Sequence, residues 1–210
     1  FTSCCPGWVK FVESYFPDML PHVSSCKSPQ GMFGGILKTY WAEKNNIDPK
    51  KIVSVSIMPC TAKKFEISRA DMEAAGEGIP DVDISLTTRE LARLIRLAGI
   101  DFRSLPDEKF DDPLGQYTGA GVIFGVTGGV MEAALRTAVW TLTGKNDSSP
   151  IEFKEIRGFD GVKEATYNVA GTDVNICVAS GTANAKKVME MVKSGEKKYH
   201  FIEIMACPGG

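Results

Sequence analysis

The chain holds no apolar run long enough to cross a bilayer, which excludes a membrane-spanning helix. It shows no basic n-region followed by an apolar h-region, so no secretory signal is visible. It has no marked excess of either charge: 24 Lys and Arg against 26 Asp and Glu leave −2, which points to neither nucleic acid nor an anionic membrane surface as a partner. Its six cysteines (4, 5, 26, 60, 177 and 207) form no CxxC pair, which argues against a zinc knuckle or a thioredoxin-like motif. Six in 210 residues are also too sparse for a disulfide scaffold. The chain has no initiator Met, begins inside what reads as a motif, and stops at CPGG, which reads as another motif cut short. An internal fragment is therefore expected. Neither an internal repeat nor a low-complexity segment is present.

What is there suits an ordinary globular protein, 43% hydrophobic and 24% charged, long enough for one large domain or two lobes with a real core. A first helix is expected over Pro6 to Phe16, with Ser3 as cap, Pro6 in the first turn and Val9, Val12 and Phe16 on one face. A second should cover about 31–43. In IVSVSIM, residues 52–58, Val53, Val55 and Ile57 alternate with serines as in a strand. Asp83 to Leu86 reads as another strand. TTRELARLIRLAGI reads as a helix capped by Thr87 or Thr88 and stopped at Gly99. A loop-rich stretch over 101–121 precedes a helix from about Val130 to Leu142. The segment from Ile151 to Ala179 reads as strands with a hairpin turn at Ala170-Gly171-Thr172-Asp173. A helix ending near Gly195 and a last strand, HFIEIMA, complete the chain. Strands and helices interleave, so the fold class is α/β. The glycine-rich loop near 119–129 divides it into two expected lobes, about 1–118 and 119–210, each a small mixed or parallel sheet flanked by helices.

Three cysteines share a context. Cys5 precedes a helix-starting proline, Cys60 follows a strand and leads into Thr61-Ala62-Lys63-Lys64, and Cys207 follows a strand and precedes Pro208-Gly209-Gly210. Strand ends and helix N-termini are where α/β sheets place ligands and where backbone N–H groups stabilise a thiolate. Three such thiolates suit an iron–sulfur cluster, which takes four. Spacing alone is explained more simply by buried, inert thiols. That plainer reading is kept for Cys26 and for Cys177, which lies inside the strand VNICVA.

FTSCCPGW, MPCTAKKFE and FIEIMACPGG closely resemble, in order, the three signature motifs of the iron-only, or [FeFe], hydrogenases. SPQGMFGG, TTRELARLIRLAGI and GAGVIFGVTGGVMEAALR resemble the same family, so the likeness covers nearly the whole chain. It implies a two-lobed α/β domain with the active site between the lobes. It also implies an H-cluster: a [4Fe–4S] cubane linked through a cysteine to a diiron subcluster carrying CO, cyanide and a bridging dithiolate amine. Carried over by motif, Cys5, Cys60 and Cys207 would hold the cubane, and the fourth, bridging cysteine would follow Gly210. The isolated fragment would then be inactive.

By the same resemblance Cys4 would pass a proton to the bridging amine, with Ser24 next in the relay and Ser25 one residue away as the alternative register. Lys63 would hydrogen-bond a cyanide, while Glu66 reads as structural, pairing with a lysine. Ser28, Pro29 and Gln30 would form a loop near the other cyanide. Met58, Phe124 and Met205 would pack around the diiron site, and Gly125, Gly128 and Gly129 would let backbone approach it; by pattern alone these are core residues and a helix entry. The implied activity is reversible reduction of protons to H2, with ferredoxin as redox partner and maturation proteins to assemble the cofactor, in the cytoplasm of an anaerobic bacterium. The alternative is a non-catalytic iron–sulfur assembly or H2-sensory relative that shares the fold.

Overall fold

The computed structural model describes residues 1–156 and 160–208. In chain order the elements are α1 (Pro6–Tyr15); α2 (Pro29–Ile36), which passes through a wider π-helical turn, Leu37–Trp41, into α3 (Ala42–Lys44); β1 (Val55–Ile57); α4 (Lys63–Glu66); β2 (Ile84–Leu86); and α5 (Thr88–Leu97). Then come α6 (Gly119–Ile123), α7 (Gly129–Thr143), β3 (Lys154–Glu155), β4 (Val162–Val169), β5 (Thr172–Ser180), α8 (Thr182–Ser194) and β6 (Phe201–Met205). The class is α/β, with two small sheets flanked by helices. The chain packs as two compact units: Phe1–Ser25 with Tyr117–Gly210, and Cys26–Gln116. The break near 117 falls beside the glycine-rich stretch, but the first 25 residues group with the later part of the chain rather than with the segment that follows them.

The first unit is built on a four-stranded sheet of order β3-β4-β5-β6, antiparallel except for the parallel pair β5/β6. Period-two alternation sends successive side chains of β5 to opposite faces. Cys177 and Ala179 join Trp8 and Val12 of α1 and Ala185, Val188 and Met189 of α8 in one cluster. Ile176 and Val178 join Met131, Leu135 and Val139 of α7 in another. The β4–β5 hairpin turns through Ala170 and Gly171, both at positive φ, as the primed two-residue turn requires. Gly209 and Gly210 of the CPGG stretch lie outside the described residues.

The second unit carries the parallel pair β1/β2 and buries an unusual amount of charge. Lys38 Nζ donates to Asp83 Oδ2 at 2.6 Å and to the Pro80 carbonyl at 2.7 Å. Asp81 accepts from Lys27 Nζ at 2.5 Å and from the Ala74 N–H at 2.8 Å. Thr87 and Glu90 close a capping box on α5, and Gly99 follows that helix at φ +68°.

Two sequence expectations need correction. Ser3 does not cap α1: its hydroxyl accepts the Cys5 N–H at 3.0 Å, while Cys5 itself occupies the N-cap. The strand expected over 52–58 shortens to β1, and its valines face outward, Val53 being 67% exposed. Inward there is Ser54, whose N–H donates to Asp83 Oδ2 at 2.6 Å. Alternation set the period correctly, but the buried face is the one that carries Ser54, not the valines.

Candidate functional site

Proline at the first helical position of α1 needs no partner for its missing N–H, which leaves Cys5 at the N-cap in extended geometry. The Cys5 carbonyl accepts from the N–H groups of Trp8 (3.0 Å) and Val9 (3.2 Å). Trp8, fully buried, anchors that first turn in the core, and its ring packs 5.9 Å from Phe1 and 6.1 Å from Phe11. Just upstream, Thr2 adds a short parallel bridge to β6. Its N–H donates to the Ile202 carbonyl at 2.8 Å, and its carbonyl accepts from the Ile204 N–H at 2.9 Å.

This bridge aligns the chain start with the strand that leads to Cys207. At the end of β6 the Ala206 N–H donates to Cys5 Sγ at 3.4 Å. Two motifs about 200 residues apart therefore meet, and a backbone N–H aimed at a sulfur at a helix N-terminus is an arrangement that favours a thiolate. Cys4 Sγ lies 4.0 Å from Cys5 Sγ, so the expected proton donor and the expected ligand are in contact. Ser24 is exposed, and its N–H donates to the Phe1 carbonyl at 2.7 Å, which returns that segment to the chain start.

In the same unit, Phe124 and Gly125 occupy the turn between α6 and α7, and Met205 ends β6; Phe124 and Met205 are half-buried, not core, and Gly125 is exposed. Gly128 adopts φ +88°, and a Cβ on Gly129 would stand 1.7 Å from the Ile123 carbonyl oxygen. Only glycine fits there.

In the second unit Cys60 follows β1, and its carbonyl accepts from the Lys63 N–H at 3.4 Å. The single turn of α4 puts Lys63 and Glu66 on one face. Each is only 6% exposed, and Lys63 Nζ reaches Glu66 Oε1 at 3.1 Å and Oε2 at 2.9 Å. Ser28 Oγ (2.9 Å) and Gln30 Nε2 (2.6 Å) also donate to Glu66 Oε2. Ser28 further accepts the Gly31 N–H at 3.5 Å as the cap of α2. Glu66 thus gathers three expected site residues, Ser28, Gln30 and Lys63, which sequence spacing could not bring together. Gln30 Oε1 is buried with no hydrogen-bond partner among the described residues, an open acceptor beside that cluster. Met58, half-buried, is held by its N–H to the Leu86 carbonyl at 2.9 Å.

The cysteines divide by environment. Cys5 and Cys60 are half-buried and Cys207 is exposed, all at ends of elements. Cys177 is fully buried in β5, and burial, helped by the nearby Glu164 charge, pushes its thiol up to about 12. Soft sulfur donors at element ends, with a backbone N–H on the sulfur of Cys5, are of the kind that holds an iron–sulfur cluster. Cys5 and Cys207 belong to one unit and Cys60 to the other. Among the described residues no three His, Cys, Asp or Glu side chains form a metal-binding group. One further buried acid escaped the sequence reading: Glu203 on β6, whose pKa burial pushes up while the N–H groups of Met131 and Gly128 pull it down and Cys5 adds to the rise.

The family described as "Iron only hydrogenase large subunit, C-terminal domain" matches residues 1–210. The chain is 57% identical over its full length to the periplasmic [Fe] hydrogenase large subunit of Nitratidesulfovibrio vulgaris, spanning 49% of that protein. It is 54% identical to the NADP-reducing hydrogenase subunit HndD of Solidesulfovibrio fructosivorans, spanning 35% of it. A more distant relative, 34% identical, is the protein NAR1 of Arabidopsis thaliana, of which it spans 46%. Among solved structures, an apo [FeFe]-hydrogenase HydA1 variant from Chlamydomonas reinhardtii superposes with TM-score 0.85 at 41% identity, over all of this chain and 59% of that one. The chain thus spans about half or less of the curated relatives it matches. By the family match, the identity to hydrogenases and the shared fold, it belongs to the iron-only hydrogenase family, within the C-terminal domain of the large chain.

Proposed function

We propose that this chain supplies the catalytic domain of an enzyme that interconverts two protons and two electrons with H2. The observation that carries the reading is the Ala206 N–H on Cys5 Sγ, which joins the first and third cysteine motifs at a sulfur-directed backbone donor. Cys5, Cys60 and Cys207 would hold the [4Fe–4S] cubane of an H-cluster. When bound, that cofactor supplies electrons through the cubane, and iron with a basic bridging amine where the H–H bond is made or broken. Lys63, fixed by Glu66, would donate to a cyanide, with Gln30 and Ser28 beside it. Phe124, Met58 and Met205 would form an apolar wall that limits water, and Gly125 would let backbone approach. Cys4 would hand a proton to the amine and Ser24 would resupply it, a thiol being suited to transfer in either direction.

Ferredoxin is the proposed electron partner, and dedicated maturation proteins the source of the assembled cofactor. The proposed compartment is the cytoplasm of an anaerobe; because a 57% identical relative is named periplasmic, cell fractionation tests this separately.

The test is anaerobic expression of the full-length protein with its maturation enzymes. Infrared spectroscopy should show CO and cyanide bands, and the protein should evolve H2 from a reduced donor. Cys4→Ala should keep the bands and lose nearly all turnover; loss of the cubane in that variant would mean that Cys4, not Cys5, is the ligand. A second reading, a non-catalytic iron–sulfur assembly factor, is favoured by the 32% identity across the chain to a Xenopus tropicalis protein named a cytosolic Fe-S cluster assembly factor. A matured protein with iron and sulfide but neither infrared bands nor H2 evolution would establish that reading instead.

A further inference from the structure

Glu203 lies in the middle of β6 and is 1% exposed. Alternation along β6 sends Ile202 and Ile204 into the cluster beneath α1 and α8, so Glu203 projects to the opposite face. There its Oε1 accepts the Gly128 N–H at 2.8 Å and its Oε2 accepts the Met131 N–H at 2.8 Å. These N–H groups sit at the N-cap and third position of α7, where a helix has no partners of its own for its first donors. Gly128 has no side chain to cap them. The cap therefore comes from a strand more than seventy residues later in the chain, with a charge sign that the helix N-terminus favours.

On the other side of the same strand position, its two neighbours make the bridge to Thr2, through the Ile202 carbonyl and the Ile204 N–H. Glu203 and its two strand neighbours thus tie three segments: the chain start two residues before Cys4, the glycine turn that follows Phe124 and Gly125, and the strand that ends two residues before Cys207. The turn has little freedom left once it is tied, because Gly129 packs directly on the Ile123 carbonyl and Met131 is fully buried.

We propose that Glu203 is a positioning residue for the cluster site, holding the Phe124–Gly129 turn in fixed register with the Cys5 and Cys207 segments. This rests on the functional reading above. It touches no reacting atom; it acts through the backbone that carries the residues which do.

The experiment uses the full-length protein with and without a [4Fe–4S] cluster reconstituted from iron and sulfide. Amide hydrogen exchange of Gly128 and Met131 should slow at least about tenfold on loading, because cluster binding suppresses opening of whatever is rigidly tied to its ligands. Uptake of four iron with those two amides unchanged overturns the proposal and leaves the functional reading standing. Failure of the parent protein to take up any cluster overturns the functional reading and this inference with it.

Glu203→Gln provides the second readout, since its amide must turn an N–H2 donor toward one of two N–H donors. The matured variant should keep its iron content while its CO and cyanide bands shift or broaden. A merely structural residue would lower the melting temperature and leave the bands of the folded fraction unmoved, and that result overturns the proposal. Should the variant not fold, the exchange comparison on the parent protein decides alone.

Discussion

Glu66 takes hydrogen bonds from Ser28, Gln30 and Lys63, and none of the four is exposed. Removing one partner of a buried ion pair leaves the other charge without compensation, which costs about 3–5 kcal/mol. Glu66→Ala should therefore lower stability by up to roughly that amount in urea unfolding of the apo protein, because Lys63 loses a buried carboxylate and Ser28 and Gln30 lose their shared acceptor. Glu66→Gln keeps an acceptor for Ser28 or Gln30 and should lose distinctly less; equal losses for the two would mean that the carboxylate charge contributes nothing. A milder contrast separates the thiols. With its thiol pushed up to about 12 and its side chain sealed in β5, Cys177 should resist alkylation at pH 8, while exposed Cys26 and Cys207 are labelled, as peptide mass spectrometry would show.

At the scale of elements, what could be read from sequence was what local chemistry decides. The helix at Thr88–Leu97 carries its start and stop in four residues, Thr87, Glu90, Ala98 and Gly99, and the β4–β5 hairpin carries its turn in two. The face of β1 could not be read, because Val53, Val55 and Ile57 alternate properly and yet stand exposed, while Ser54 between them is the buried residue. The capping box of α5 also makes a pH prediction. Three donors, foremost the Thr87 N–H and then Lys64 and the Thr87 hydroxyl, hold the Glu90 carboxyl down at about 2 from an ordinary 4.5. A carboxylate with a depressed folded-state pKa adds stability above its unfolded pKa and loses it as pH falls through the folded one. The stability difference between the parent and Glu90→Gln should thus be constant above about pH 5, shrink between about pH 4.5 and about 2, and vanish below. Circular dichroism melts across that range would show it, and a difference that persists unchanged at pH 2 would remove the carboxylate from the account.

For the whole molecule, the three cysteine motifs were legible as motifs, but their division between units was not. Cys5 and Cys207 stand far apart in the chain and are joined by Thr2 on β6 and by Ala206 on Cys5, contacts that no local pattern encodes. Cys60 comes from the other unit, so the proposed ligand set samples both. A series of single substitutions in the full-length protein tests that set without reference to turnover. Cys5→Ala, Cys60→Ala and Cys207→Ala each remove one soft donor from a cluster that needs four, and each should abolish the broad iron–sulfur absorbance and most of the bound iron. Cys26→Ala should retain both. Cys177→Ala should also retain both; the side chain lost is small, so what it adds is a cavity cost of about 1 kcal/mol in the β5 core. If Cys207→Ala kept a full complement of iron, the Ala206 contact on Cys5 would be a packing detail of β6 rather than the edge of a cluster site. If Cys60→Ala alone kept it, the cluster would belong to the first unit. The expected pattern, loss at three positions and retention at two, requires donors from both units and excludes the buried thiol that composition alone would have counted with them.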